Sequence, residues 1–143
     1  MLTEGQKRLA IRNEMISHNK SLAEAADMAR VKTPFEYAIF QNNGYMGLYG
    51  GLKAKDIYKK KGFNKGQKIL DHMGSTELAA NLFRATQTDE KIRREKVHGK
   101  AEANKTHYEV GKTVRKTIEE LPTPERNIKT IEKELSDDKK IKE

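Results

Sequence analysis

The chain has 143 residues, no cysteine, and 29 Lys and Arg against 21 Asp and Glu, a formal charge of +8. Disulfides, thiol nucleophiles and cysteine-held zinc are excluded, and no apolar run reaches membrane-spanning length, so a soluble, cytoplasmic protein is expected. With 35% of residues hydrophobic, 35% charged and only 6% aromatic, an elongated helical assembly is favoured over a globule with a deep pocket, and the basic balance favours a polyanionic partner such as nucleic acid.

Helix-start signals recur along the chain. Thr3–Gln6, Ser21–Glu24, Thr33–Glu36 and Asn64–Gln67 each place a capping side chain three residues before Glu or Gln. In that spacing the cap accepts from the first-turn amides while the Glu or Gln accepts from the cap's own amide. The first helix carries Leu2, Leu9 and Ile16 along one side at seven-residue intervals. Pro34 stands at the first position of the helix after Thr33, where a missing amide costs nothing. Gly44, Gly62 and Gly74 stand where helices are expected to stop.

Next comes "NNGYMGLYGGL", Asn42 to Leu52, which reads as an irregular Gly-rich loop because clustered glycines disfavour helix. It runs into the most basic stretch, Lys53 to Lys68, with seven lysines against one aspartate. Asn64 then caps a short helix with Ile69, Leu70 and Met73, which Gly74 ends. Ser75 or Thr76 caps another with Leu78, Leu82 and Ala85 on one face. "TQTD", Thr86 to Asp89, reads as a further break leading into the charged segment that holds Lys91, Arg93, Arg94 and Lys96.

A late helix steps through Ala103, His107, Val110, Val114, Ile118 and Leu121, and its Lys112, Arg115 and Lys116 add charge. Pro122 and Pro124 break it, Ile128, Ile131 and Leu135 mark one more helix, and residues 136–143 read as a disordered tail. The expectation is an all-α fold of six to eight helices without strands. It forms a helical domain over 1–135, with parts at about 1–50, 51–98 and 100–135.

Asp71 and His72 are neighbours on a helix and diverge by about 100°, so they cannot cooperate directly. A metal site would need Glu77 or His107 brought in by the fold, and a nuclease built on these four residues is the weakest of three readings. His107 lies on an apolar stripe and is expected to be a hydrogen-bonded core histidine. No nucleophile elbow or phosphate-cradling loop is present, so no enzyme, cofactor or small-molecule substrate is expected.

Two readings remain. In the first, Lys53, Lys55, Lys59, Lys60, Lys61, Lys65 and Lys68, joined by Arg93 and Arg94, neutralise phosphates while Tyr45 and Tyr49 stack on bases. In the second, the apolar stripes of the first and last helices pair with another subunit as a homodimer, without nucleic-acid contact.

The segments "YAIFQNNGYMGLYGGLKAKDI" (Tyr37–Ile57), "KGQKILDHMGSTELAANLFRATQTDEKI" (Lys65–Ile92) and "EANKTHYEVGKTVRKTIEELPTPE" (Glu102–Glu125) resemble the DNA-damage-inducible protein D family of bacteria, collinearly from about Thr3 to Leu135. The resemblance implies a protein of the SOS response that modulates recombination through single-stranded DNA or RecA-type recombinase filaments. It transfers no catalytic residue. Members of that family usually carry an additional N-terminal domain similar to the Bro-N domain of antirepressors, so this chain resembles the C-terminal half.

Overall fold

Thr3 and Thr33 open the first two helices in the way their spacing predicts. In the computed structural model, which describes residues 1–62 and 73–120, α1 spans Glu4–Met28 and α2 spans Pro34–Leu48. Each threonine accepts from the amide three residues on, and Gln6 and Glu36 accept from the cap amides. Helix α3 spans Ala54–Lys61 and ends at Gly62, whose left-handed φ of 72° suits glycine. Helix α4 spans Ser75–Arg94 and α5 spans Lys100–Glu120. Gly74 has no side chain with which to cap α4; instead Glu4 accepts from the Ser75 amide and hydroxyl at 3.1 and 2.6 Å.

The described residues form five helices and no strand, where six to eight helices were expected. Three expected breaks do not occur. Ser21 lies inside α1 because its hydroxyl donates to Asp89 of α4 and because Leu22, Ala25 and Ala26 continue a buried face. Thr86 and Thr88 lie inside α4, their hydroxyls donating to the carbonyls of Phe83 and Arg84 one turn back. Gly44 and Gly47 lie inside α2, where they permit close packing rather than a turn. The helix expected from Asn64, the segment after Pro122 and the tail fall outside the described residues.

The closest packing joins α2 to α5. Gly44 faces the His107 ring, Gly47 faces the Tyr108 carbonyl, and Gly111 sits against the Gly44 carbonyl and the Leu48 amide. Further on, Arg115 donates to the Leu48 carbonyl at 3.2 Å. Those pairings ascend together in number, so α2 and α5 run in the same direction. Helices α1 and α4 do likewise, Glu4 meeting Ser75 and Ser21 meeting Asp89.

The turns α1–α2 and α4–α5 share one end of the bundle and one geometry. The Val31 amide donates to Ala26 O past Arg30 at φ 81°, and the Val97 amide donates to Ile92 O past Lys96 at φ 50°. Both are left-handed helix stops closed by a bond to a carbonyl five residues back. The Gly99 amide donates to Ala29 O at 2.9 Å and ties the two turns together. No internal repeat is evident in the sequence, so this correspondence is visible only in the backbone.

At the opposite end, α3 packs on the start of α4 and the ends of α2 and α5. Its Ile57 joins a buried cluster with Tyr45, Leu48, Tyr49, Met73, Leu78, Val110 and Val114. Met15, Leu22, Ala25, Ala26, Phe40, Ala85, Ile92 and Ala103 fill the core nearer the turns. Leu2, Leu9 and Ile16 are exposed, since α1 turns Met15 and Leu22 inward instead. Among the described residues, no helix is long and apolar enough to cross a membrane.

Candidate nucleic-acid interface

The short helix α3 is held by its last residue. The Lys61 side chain is wholly buried, and its Nζ donates to Oε1 of Glu77 at 2.9 Å. Oε2 of Glu77 accepts from the Tyr49 hydroxyl at 2.5 Å, and Asn81 donates to that hydroxyl and to the Glu77 carbonyl, both at 3.0 Å. Arg84 donates to Oδ1 of Asn81 at 3.2 Å and lies 5.0 Å from the centre of the Tyr45 ring. Its Nη1 is 2.5 Å from Nε2 of His107, whose Nδ1 is 2.7 Å from the Phe40 carbonyl.

A guanidinium can only donate, so Nε2 of His107 accepts and Nδ1 carries the proton given to Phe40 O. Burial, aided by the nearby Arg84 charge, holds the His107 pKa well below its ordinary value. Burial and then Glu77 push the Tyr49 hydroxyl well above its own. The chain of contacts from Lys61 to Phe40 is shut off from solvent, so it can fix helices in place but cannot reach a substrate. A groove of about 570 Å³ between α4 and α5 is lined by Phe83, Val110, Thr113 and Thr117 and touches none of these side chains.

Three expected surface residues are therefore core residues. Tyr45 and Tyr49 are buried, their rings filling the space beneath α3, and cannot stack on bases. Lys61 faces inward because Ile57, one turn earlier, sets the buried side of α3. Glu77 and His107 are committed to separate partners in this network, and among the described residues no group of three or more His, Asp or Glu could hold a metal. Asp71, His72, Lys65 and Lys68 fall outside the described residues.

Lys55, Lys59 and Lys60 are exposed on α3 and Lys53 at its N-cap, and none has an ion pair among the described residues. Lys112 and Lys116, in the second half of α5, are exposed at the same end of the bundle and have no ion pair among the described residues. Arg93 and Arg94 lie at the other end, beside the turns, roughly 30 Å away by the length of a 20-residue helix. Both are already engaged: Arg93 with Asp89 at 2.6 Å and Arg94 with Glu90 at 2.5 Å. Lys100 pairs with Glu36 at 2.7 Å and Lys32 with Asp27 at 3.2 Å, while Lys91 and Lys96 have no ion pair among the described residues. Among the described residues the two basic segments read from sequence thus lie at opposite ends of the bundle, and the α3 end has the freer charge.

Lys7, exposed near the start of α1, adds to that end beside Ser75, Thr76 and Ala79. Nothing in its local sequence marks it, since only the parallel packing of α1 on α4 brings it there.

Residues 2–137 match the family model described as the DinD C-terminal domain. Over 139 residues the chain is 59% identical to the DNA damage-inducible protein D of Escherichia coli (strain K12), covering 92% of this chain and 51% of that protein. The chain thus spans about half the length of the curated relative it matches, corresponding to that protein's C-terminal part. No solved structure matches it.

Proposed function

The chain belongs to the DinD C-terminal domain family, and from that premise we propose that it acts in the DNA-damage response by binding the phosphate backbone of single-stranded DNA through the α3 end of the bundle. The observation that carries this reading is the row of exposed lysines Lys53, Lys55, Lys59 and Lys60, without ion pairs among the described residues, with Lys112 and Lys116 at the same end. Ammonium groups not already matched to carboxylates are the ones free to displace counterions from a polyanion. The buried Lys61–Glu77 pair supports it by fixing the helix that presents them.

Tyr45 and Tyr49 are buried, so the contact is with phosphates and owes them no base stacking. It involves no chemistry on the strand, and added magnesium or manganese is expected to leave the DNA uncut. Modulation of recombination follows if the bound strand is the one a recombinase filament occupies, which locates the protein in the bacterial cytoplasm.

Fluorescence anisotropy of a labelled single-stranded oligonucleotide, titrated at about 50 and about 200 mM salt, tests the reading. Some five phosphate contacts predict an affinity roughly a hundredfold weaker at the higher salt. Absence of binding at the lower salt, or binding indifferent to salt, contradicts it. Binding only when recombinase coats the strand shifts the partner to the protein filament.

A further inference from the structure

Phe83 is an aromatic side chain that the fold leaves half in water. It stands midway along α4 and is 49% exposed, although Arg84 beside it is wholly buried. Exposed apolar residues scattered singly are ordinary, as Leu9 and Ile16 of α1 are. Phe83 differs because it forms a wall of the groove between α4 and α5. The volume of that groove, about 570 Å³, lies within the range of small-ligand sites, roughly 300–1,000 Å³. Val110 and Val114 of α5, both buried, give it an apolar floor. Much of the remaining lining is polar: Gln87 one turn after Phe83, and Thr113 and Thr117 on α5. Exposed Lys112 lines it as well, and Lys112 belongs also to the lysines at the α3 end.

Resting on the phosphate contact at the α3 end, we propose that this groove is a nucleobase site, in which a base of the bound single strand stacks on the Phe83 ring. The lining selects that occupant. An amphipathic protein helix needs a continuously apolar groove. Here one aromatic wall is combined with an amide and two hydroxyls, which suit the flat face and the polar edge of a base. The Thr117 hydroxyl donates to the Thr113 carbonyl and can still accept. Charge agrees: Lys91, Arg94 and Lys112 outnumber the carboxylates Glu90 and Glu109 along the groove, and Glu90 is already tied to Arg94. Because α5 runs back along α4 from the turn, Lys112, Thr113 and Thr117 lie from the level of Phe83 towards the α3 end. A strand whose phosphates sit on Lys112 and Lys116 thus passes the mouth of the groove. Tyr45 and Tyr49, the aromatics expected to stack, are buried, and Phe83 takes that role.

Binding of a labelled single-stranded oligonucleotide and of an abasic oligonucleotide of the same length and charge, compared by anisotropy at about 50 mM salt, decides the matter. The unaltered chain should bind the base-bearing strand about tenfold more tightly. Phe83→Ala should remove that preference while leaving abasic binding, its salt dependence and the unfolding midpoint nearly unchanged. In Phe83→Trp the indole is unique, since the chain has no tryptophan, and its fluorescence should be quenched by the base-bearing strand and not by the abasic one. Equal affinity for the two polymers, or a base preference that survives Phe83→Ala, overturns the base site and leaves the phosphate contact standing. A Phe83→Ala variant that loses stability but no affinity assigns the groove to protein contacts and overturns it too. Failure of both polymers to bind overturns the phosphate contact, and the base site with it.

Discussion

Nζ of Lys61 lies 2.9 Å from Oε1 of Glu77, with both side chains withdrawn from solvent. This pair bolts the lysine-bearing helix α3 to the start of α4; Tyr49 donates to the other Glu77 oxygen, and Asn81 donates to Tyr49. Removing one partner strands the other as a buried charge, which typically costs about 3–5 kcal/mol. Glu77→Gln should therefore destabilise the fold by that order in urea unfolding. Lys61→Met combined with Glu77→Gln should cost clearly less than Glu77→Gln alone. If the single and double variants are equally stable, the pair does not hold α3.

His107 makes stability depend on pH. Its imidazole is held neutral in the fold by burial and Arg84, whereas in the unfolded chain it takes up a proton near pH 6.5. Below that pH the unfolded state binds a proton that the folded state refuses, so stability falls as pH falls, by up to about 1.4 kcal/mol per pH unit. Glu36 acts lower on the scale. The Lys100 ammonium, aided by the Lys32 and Thr33 amides, brings its pKa to about 2, so its contribution is lost only below its ordinary 4.5. Urea unfolding from about pH 7 to 5 should show the His107 slope. In His107→Gln, whose amide can accept from Arg84 and donate to Phe40, that slope should flatten; an unchanged slope would assign it elsewhere.

Glycines in helices should respond oppositely according to what surrounds them. A Cβ on Gly111 would stand 2.6 Å from the Gly44 carbonyl oxygen and 2.9 Å from the Leu48 amide nitrogen, both backbone atoms with little room to yield. Gly111→Ala should force α2 and α5 apart at a cost of about 2–3 kcal/mol. At Gly5 the nearest atom is the Thr3 hydroxyl at 4.0 Å, so Gly5→Ala should stabilise α1 by roughly 0.5–1 kcal/mol. Thermal unfolding of the two variants checks both signs.

The contrast between these glycines explains what the sequence could and could not reveal. Local chemistry was legible: the capping boxes at Thr3 and Thr33, the left-handed stop at Gly62 and the His107 stripe of α5 are all as expected. Each depends on residues within a turn or two of one another. Partners distant in the chain were not legible. Ser21 has the sequence of a helix start, but Asp89 of α4 claims its hydroxyl. The glycines around Tyr45 have the composition of a loop, yet α5 packs on them backbone to backbone. Lys61 is one of three consecutive lysines, and only the position of Glu77 decides that it is the buried one. The parallel pairing of helices, which sets the two basic clusters at opposite ends, was equally illegible.

Which end meets DNA is the most direct test of the account. The low-salt affinity for a single-stranded oligonucleotide should be compared between Lys59→Glu/Lys60→Glu and Arg94→Glu/Lys96→Glu, two variants of identical net charge. At least a tenfold loss of affinity, at about 50 mM salt, is expected for the α3 pair and a much smaller loss for the turn-end pair. Equal losses, or a loss confined to the turn end, would contradict it.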